Sequence, residues 1–294
     1  MSVKTPLVGS IIVLWEVGFP RSSRLSCQVE FPPPVLANQI PVIAAAGSQH
    51  QSTRSSNAIA SLSETSVIFE RTCLEFNYAA IIQRYSGILN SQRVASDPIG
   101  SPPAAIGDEP RFHARFVELL LPRVRRALRA GFEALTPHLQ QLNLVPVTFD
   151  DASSAAYIDQ HRPDTAFVIV GGNYDTNANR APGDLKVSWQ WRSEYRHSQD
   201  PFAREQYADV LSEVNFHIGQ HNARHGFVIT NAELVAVKRL DANGRLAVSA
   251  SIPWTAGGQG QLTVLLGLWY LGMLAAKKPT GACSPASVPL MVLF

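Results

Sequence analysis

Cysteine is scarce in this chain: Cys27, Cys73 and Cys283 are the three present, an odd number set far apart among 294 residues. That spacing excludes a disulfide framework and matches no zinc-ligand pattern, so the chain reads as an intracellular protein of a reducing compartment, nuclear or cytoplasmic. Long apolar runs are missing as well. Leu7 to Trp15 is broken by Glu16 and lacks a clean small-residue cleavage pattern, which argues against a secretory leader. Leu262 to Ala276 is apolar for about fifteen residues, short of the roughly twenty that span a bilayer, so no membrane partner is expected. Excess charge of one sign is also absent. The 25 Lys and Arg against 23 Asp and Glu leave a formal net charge of +2, so only a local basic patch could attract a polyanion.

What is present divides the chain into three parts. Residues 1–60 are rich in Pro, Ala, Ser and Gln around Pro32-Pro33-Pro34, without sustained periodicity, and read as a mobile, disordered arm. Residues 61–276 carry the folded domain, and from Lys277 the composition returns to Pro, Ser and Gly, a loose tail over 277–294.

Within the domain, Ser63-Glu64-Thr65-Ser66 is read as a cap for a helix through Val67, Phe69, Cys73 and Phe76 toward Ile82. A second helix from Phe112 to Leu135 shows an apolar stripe of Phe116, Leu120, Val124, Leu128 and Phe132, with Pro122 placed to kink it. Its other face holds Arg111, Arg115, Arg123, Arg125, Arg126 and Arg129, either a solvated basic face or a phosphate contact. Asp200-Pro201 starts a third helix with Asp as N-cap, its stripe running from Ala203 through Tyr207, Leu211 and Val214 to Ile218, and Gly226 is expected to end it. Strands are expected at Val145 to Phe149, Thr165 to Val170, Phe227 to Thr230, Leu234 to Lys238 and Arg245 to Ser249, before a buried helix at Leu262 to Ala276.

The chain is organised around Arg162 to Trp191. Side chains alternate faces along a strand, so Asp184, Lys186, Ser188 and Gln190 are expected on one face and Leu185, Val187, Trp189 and Trp191 on the buried one. Asp164 opens the preceding strand beside Pro163, across the loop from Gly171 to Pro182. Pairing of the two strands brings both carboxylates to one sheet end with the lysine, a set suited to a divalent cation and a phosphate. Rival chemistry lies in His217, His221 and His225, one every four residues, where two could share a zinc ion. No Glu follows His217 as a zinc protease needs, and capping histidines at a polar helix end account for the row better.

On these residues, Pro163-Asp164 followed by Asp184-Leu185-Lys186 on successive strands before an amphipathic helix, the chain resembles the PD-(D/E)XK nuclease superfamily, the restriction-endonuclease-like fold. That family's core order of helix, three strands, helix and strand matches from about Phe112 to Lys238, roughly half the chain. The runs Tyr207 to Phe216 and Gln220 to Thr230 are similar to uncharacterised fungal proteins carrying such a core.

The resemblance implies an α/β fold with a central mixed β-sheet flanked by helices. It also implies a hydrolase dependent on Mg2+ (or Mn2+) that cuts phosphodiester bonds in nucleic acid, with DNA the expected polymer. Asp164 and Asp184 would ligate the metal with the Leu185 carbonyl, and Lys186 would orient water and offset growing negative charge. Family members often add an acidic residue from the first core helix, for which Glu118 is the candidate and Glu133 the reserve. Many also carry a glutamine on the helix after the hairpin, here Gln206. The alternative is a nuclease-like domain that keeps the fold and binds nucleic acid or protein without cutting.

Overall fold

The computed structural model describes residues 70–73, 75–92, 94 and 105–278. The expected N-terminal arm, the helix start at Ser63 and all but the first residues of the tail lie outside the described residues. The chain enters as a short strand, β1 (Glu70–Thr72), where a helix running to Ile82 was expected. The helix begins later, as α1 (Tyr78–Ser91), because Asn77 is the residue that caps it, accepting from Ala80 N at 2.9 Å.

Two further helices follow, α2 (Glu109–Arg115) and α3 (Leu121–Leu135), joined through a wide helical turn at Phe116–Leu120. Asp108 caps α2 by accepting from Arg111 N at 2.8 Å. Pro122 has no N–H to donate and clashes with a regular turn. The widened turn, in which Leu121 N reaches back to Phe116 O, absorbs it. The run from Phe112 to Leu135 is therefore helical throughout with its register shifted in the middle.

The sheet is mixed and eight-stranded. Strands β2 (Val147–Asp151), β3 (Thr165–Ile169) and β4 (Gly183–Lys186) form an antiparallel meander. The chain then crosses through α4 (Pro201–Gln220) to β5 (His225–Thr230), which lies parallel to β4. Strands β6 (Glu233–Arg239) and β7 (Leu246–Val248) continue antiparallel, β8 (Ile252–Pro253) pairs with β6, and β1 closes the other edge parallel to β7. The order is β1-β7-β6-β5-β4-β3-β2, with β8 beside β6. A mixed sheet flanked by helices, as expected, is what the chain builds.

Alternation along β5 shows how the layers divide. Phe227 and Ile229 join the larger core, with α1, α2, α3 and the last helix, α5 (Val264–Ala275), while Val228 faces Tyr207, Leu211, Val214 and Ile218 of α4. All of α5 except Leu265 is buried, as its composition required. Among the described residues no helix is long and apolar enough to cross a membrane.

The loop between β3 and β4 is held by side chains standing in for a strand. Fully buried Asn179 accepts from Phe167 N (3.1 Å) and Ala181 N (3.2 Å) and donates to Thr165 O (2.9 Å), and Asn177 bonds both backbone groups of Ile169. Arg180 donates to Ala275 O and Lys277 O, satisfying carbonyls that the end of α5 leaves open.

Beyond β4 the expected alternation fails. Val187 O accepts from both Gln190 N (2.9 Å) and Trp191 N (3.1 Å), so the chain coils instead of extending. Leu185 and Val187 enter the larger core as expected, but Trp189 is 50 % exposed, and Trp191 turns to the α4 side, stacked on Tyr207 at 5.7 Å.

Candidate active site: two carboxylates and a lysine

Asp184 sits in mid-β4 and is 4 % exposed. Its strand neighbour two residues on, Lys186, points to the same face, and Nζ lies 3.1 Å from Asp184 Oδ2. Asp184 Oδ2 is enclosed, with the Lys186 ammonium as its close cation. Asp164 stands just before β3, where its own N–H bonds Gly183 O (3.1 Å) and its Oδ2 accepts from Leu185 N at 2.7 Å. The carboxyls of Asp164 and Asp184 lie close enough for each to act on the other's ionisation. In an extended strand the N–H and C=O of one residue point to the same edge, so the Leu185 carbonyl also faces the edge that Asp164 occupies. The structure thus brings Asp164, Asp184, Lys186 and the Leu185 carbonyl together.

Helix α4 contributes a residue that sequence reasoning passed over. Glu213 Oε2 lies 3.4 Å from Lys186 Nζ, so one ammonium bridges two carboxylates. Gln206, the residue expected there, is half-buried two turns earlier on α4. A readable signal existed: Glu213 borders the buried stripe at Val214 on the helix that crosses over from β4.

The first core helix likewise delivers another side chain. His113 Nε2 lies 3.9 Å from Asp164 Oδ2 and 3.8 Å from Glu109 Oε1, and that nitrogen is enclosed without a hydrogen-bond partner. Glu118 is exposed on the widened turn and Glu133 is exposed on α3. Glu118 lies within the widened turn, past the register shift, and faces solvent while His113 is directed at Asp164.

The electrostatics follow from burial. Asp184 is pushed up to about 7, chiefly by desolvation, with Lys186 opposing and Asp164 adding to the rise. Burial also raises Asp164, and it raises Glu213 with help from the Asp184 charge. For Lys186 burial acts downward, but Asp184 and Glu213 more than reverse it, and the ammonium is held charged. One buried carboxyl, Asp184, and two half-buried ones, Asp164 and Glu213, thus share one lysine, and ionising all of them leaves a surplus of negative charge that only protons or a cation can offset.

Among the described residues no three His, Cys, Asp or Glu side chains form a metal-holding group. Zinc, which takes four such ligands or three and a water, does not fit. Magnesium is commonly held by one or two carboxylates with water and substrate phosphate completing the shell, and the pair Asp164 and Asp184, the latter with an enclosed oxygen, suits it.

Compared with known protein families, curated proteins and solved structures, the chain matches none. The reading of the site therefore rests on its own chemistry.

The histidine row is broken by the fold. Helix α4 stops at Gln220, not before Gly226 as expected, because Asn222 takes the left-handed conformation (φ 50°) that ends helices. His217 remains on the helix, His221 becomes its cap, and His225 lies in β5 opposite Lys238. Burial lowers His217 and pulls His221 down to about 4, while His221 Nδ1 accepts from Asn179 N at 3.3 Å. The arginine face of α3 is partly structural: Arg125 donates to Phe149 O at 2.7 Å and pairs with Asp150, and Arg123 bonds Leu119 O.

Proposed function

We propose that this protein is a Mg2+- or Mn2+-dependent nuclease of the PD-(D/E)XK type, hydrolysing phosphodiester bonds in nucleic acid, with DNA the expected polymer. The observation that carries the reading is the surplus of carboxylate around Lys186, whose ammonium lies 3.1 Å from the buried Asp184 and 3.4 Å from Glu213. The restriction-endonuclease-like reading of the fold is supported by the order α3, β2, β3, β4, α4, β5, in which an antiparallel meander is followed by a helical crossover to a parallel strand.

Asp164, Asp184 and the Leu185 carbonyl are the groups that would hold the cation. When bound, it supplies polarisation of the phosphoryl oxygen and a more acidic water. Leu185 N–H fixes the Asp164 carboxylate by a 2.7 Å bond, so that ligand is oriented before any metal arrives. Lys186 is held between Asp184 and Glu213 and keeps its charge, so its ammonium offsets negative charge as it grows on the phosphate and orients the water. Glu213 acts through Lys186, as a positioning residue.

The test uses labelled single- and double-stranded substrates with Mn2+. The wild-type protein should cleave, EDTA should abolish cleavage, and Asp164→Ala, Asp184→Ala and Lys186→Ala should each lose it while remaining folded. Calorimetry separates the two readings of the fold, because a protein that binds nucleic acid yet takes up neither Mg2+ nor Mn2+ would be a binding module rather than an enzyme.

A further inference from the structure

Next to Asp164 the chain makes a tight hairpin. Ile158 pairs with His161, His161 N donates to Ile158 O at 2.9 Å, and the two residues between, Asp159 (φ 49°) and Gln160 (φ 60°), are both left-handed. That turn is ordinarily built with glycine or asparagine, and here the fold clamps it instead. Gln220 Nε2 donates to Ile158 O at 2.8 Å, and the His161 ring meets Phe216 edge-on at 5.3 Å. The residues flanking the clamped turn are Tyr157 and Arg162. Tyr157 is 59 % exposed, and the exposed Arg162 guanidinium lies over its ring, 4.9 Å from the centroid.

Stacking on an aromatic face fixes a guanidinium's plane while leaving its N–H fork free for a planar anion. Pro163 disfavours helical backbone at Arg162, and two residues of chain span at most about 7 Å. The Arg162 and Asp164 backbones therefore lie within a step of the order of that between neighbouring phosphates of one strand.

We infer that Arg162, braced by Tyr157, anchors the backbone phosphate next to the one that is cleaved, and so positions a nucleic-acid strand across the two carboxylates. The inference rests on the nuclease reading and adds a substrate contact to it. Arg162 recognises phosphate and not base, so it contributes affinity and register without sequence preference.

The test takes the full chain in EDTA and measures binding of a labelled DNA oligonucleotide by anisotropy across a series of potassium chloride concentrations, for wild type, Arg162→Gln and Tyr157→Leu. Arg162→Gln should bind about tenfold more weakly, the scale of one exposed hydrogen bond to a charged group, and its log–log salt slope should fall by about one. Tyr157→Leu should show a smaller loss in affinity with the slope retained. With Mn2+, Arg162→Gln should raise KM for DNA and keep kcat, while hydrolysis of bis(p-nitrophenyl) phosphate, which has no neighbouring phosphate, should be unchanged. A role confined to bracing the hairpin would move the melting temperature and leave the salt slope alone. If wild type cleaves DNA and Arg162→Gln retains its slope and KM, the inference is overturned. If wild type cleaves neither substrate, the nuclease reading fails and this inference with it.

Discussion

Replacing Asp184 with asparagine should make this protein more stable while destroying its site. In the folded chain the Asp184 carboxyl titrates at about 7 against an ordinary 3.8, chiefly because burial opposes its charge. At about 1.4 kcal/mol per pH unit, ionising it in place costs on the order of 4 kcal/mol. The sign follows from proton linkage: the folded state holds this proton more tightly than the unfolded state does. The stability it contributes is complete below the unfolded value, falls as pH rises from 3.8 through about 7, and is constant above. Asparagine has the shape of the neutral acid and never ionises. Asp184→Asn should therefore equal wild type at about pH 3 and exceed it by about 2 to 4 kcal/mol at about pH 8, the lower figure because Lys186 gives up one of two carboxylate partners. Urea unfolding of both proteins in EDTA across this range gives the difference directly, and titrations remote from the site cancel. Adding Mn2+ at the higher pH should stabilise wild type and leave Asp184→Asn unchanged. An Asp184→Asn protein less stable than wild type at the higher pH, or a difference flat with pH, would refute the argument that burial strains this carboxylate.

Other outcomes can be stated briefly. Lys186→Ala should lose roughly a hundredfold or more in cleavage rate, the scale of one electrostatic stabiliser, while calorimetry finds most of the Mn2+ affinity intact. Asn179→Ala should cost about 2 to 4 kcal/mol in chemical denaturation, since its buried side chain satisfies two backbone donors and one acceptor that alanine leaves bare. Gly183→Ala should be at least as damaging, because the added methyl would stand 2.0 Å from the Phe227 ring. Circular dichroism melts would show it, and a variant melting like wild type would mean that β4 and β5 do not pack as described.

Much of the fold is legible because it rests on local rules. Asp200-Pro201 starts α4 by capping chemistry, with Asp200 Oδ1 accepting from Phe202 N at 3.0 Å. The stripe of Ala203, Tyr207, Leu211, Val214 and Ile218 is buried as its spacing requires. Asp184, Leu185 and Lys186 alternate faces because a strand has period two. Errors arise where a distant partner decides. β1 forms by pairing with β7, Glu70 with Leu246 and Thr72 with Val248, which no window around Phe69 or Cys73 displays. Trp189 and Trp191 continue an apolar alternation on paper, yet the Val187 carbonyl closes a turn and only Trp191 finds a core, on the other face.

The same division runs through the site. Alternation and proline placement in the sequence put Asp164, Asp184 and Lys186 at one end of two strands, because those constraints act within a few residues. Which side chains complete the set was decided by the tertiary structure. Glu213 reaches Lys186, where Gln206 had been expected, because α4 is fixed in rotation by its apolar stripe and in height by its crossover from β4 to β5. His113 reaches Asp164, and Glu118 does not, because the helix carrying both is turned by the packing of Phe112 and Phe116 into the larger core. A sequence determines the face each side chain takes on its own element through bond geometry; the phase of one element against another is set by the sum of their contacts, and that sum exists only in the folded chain.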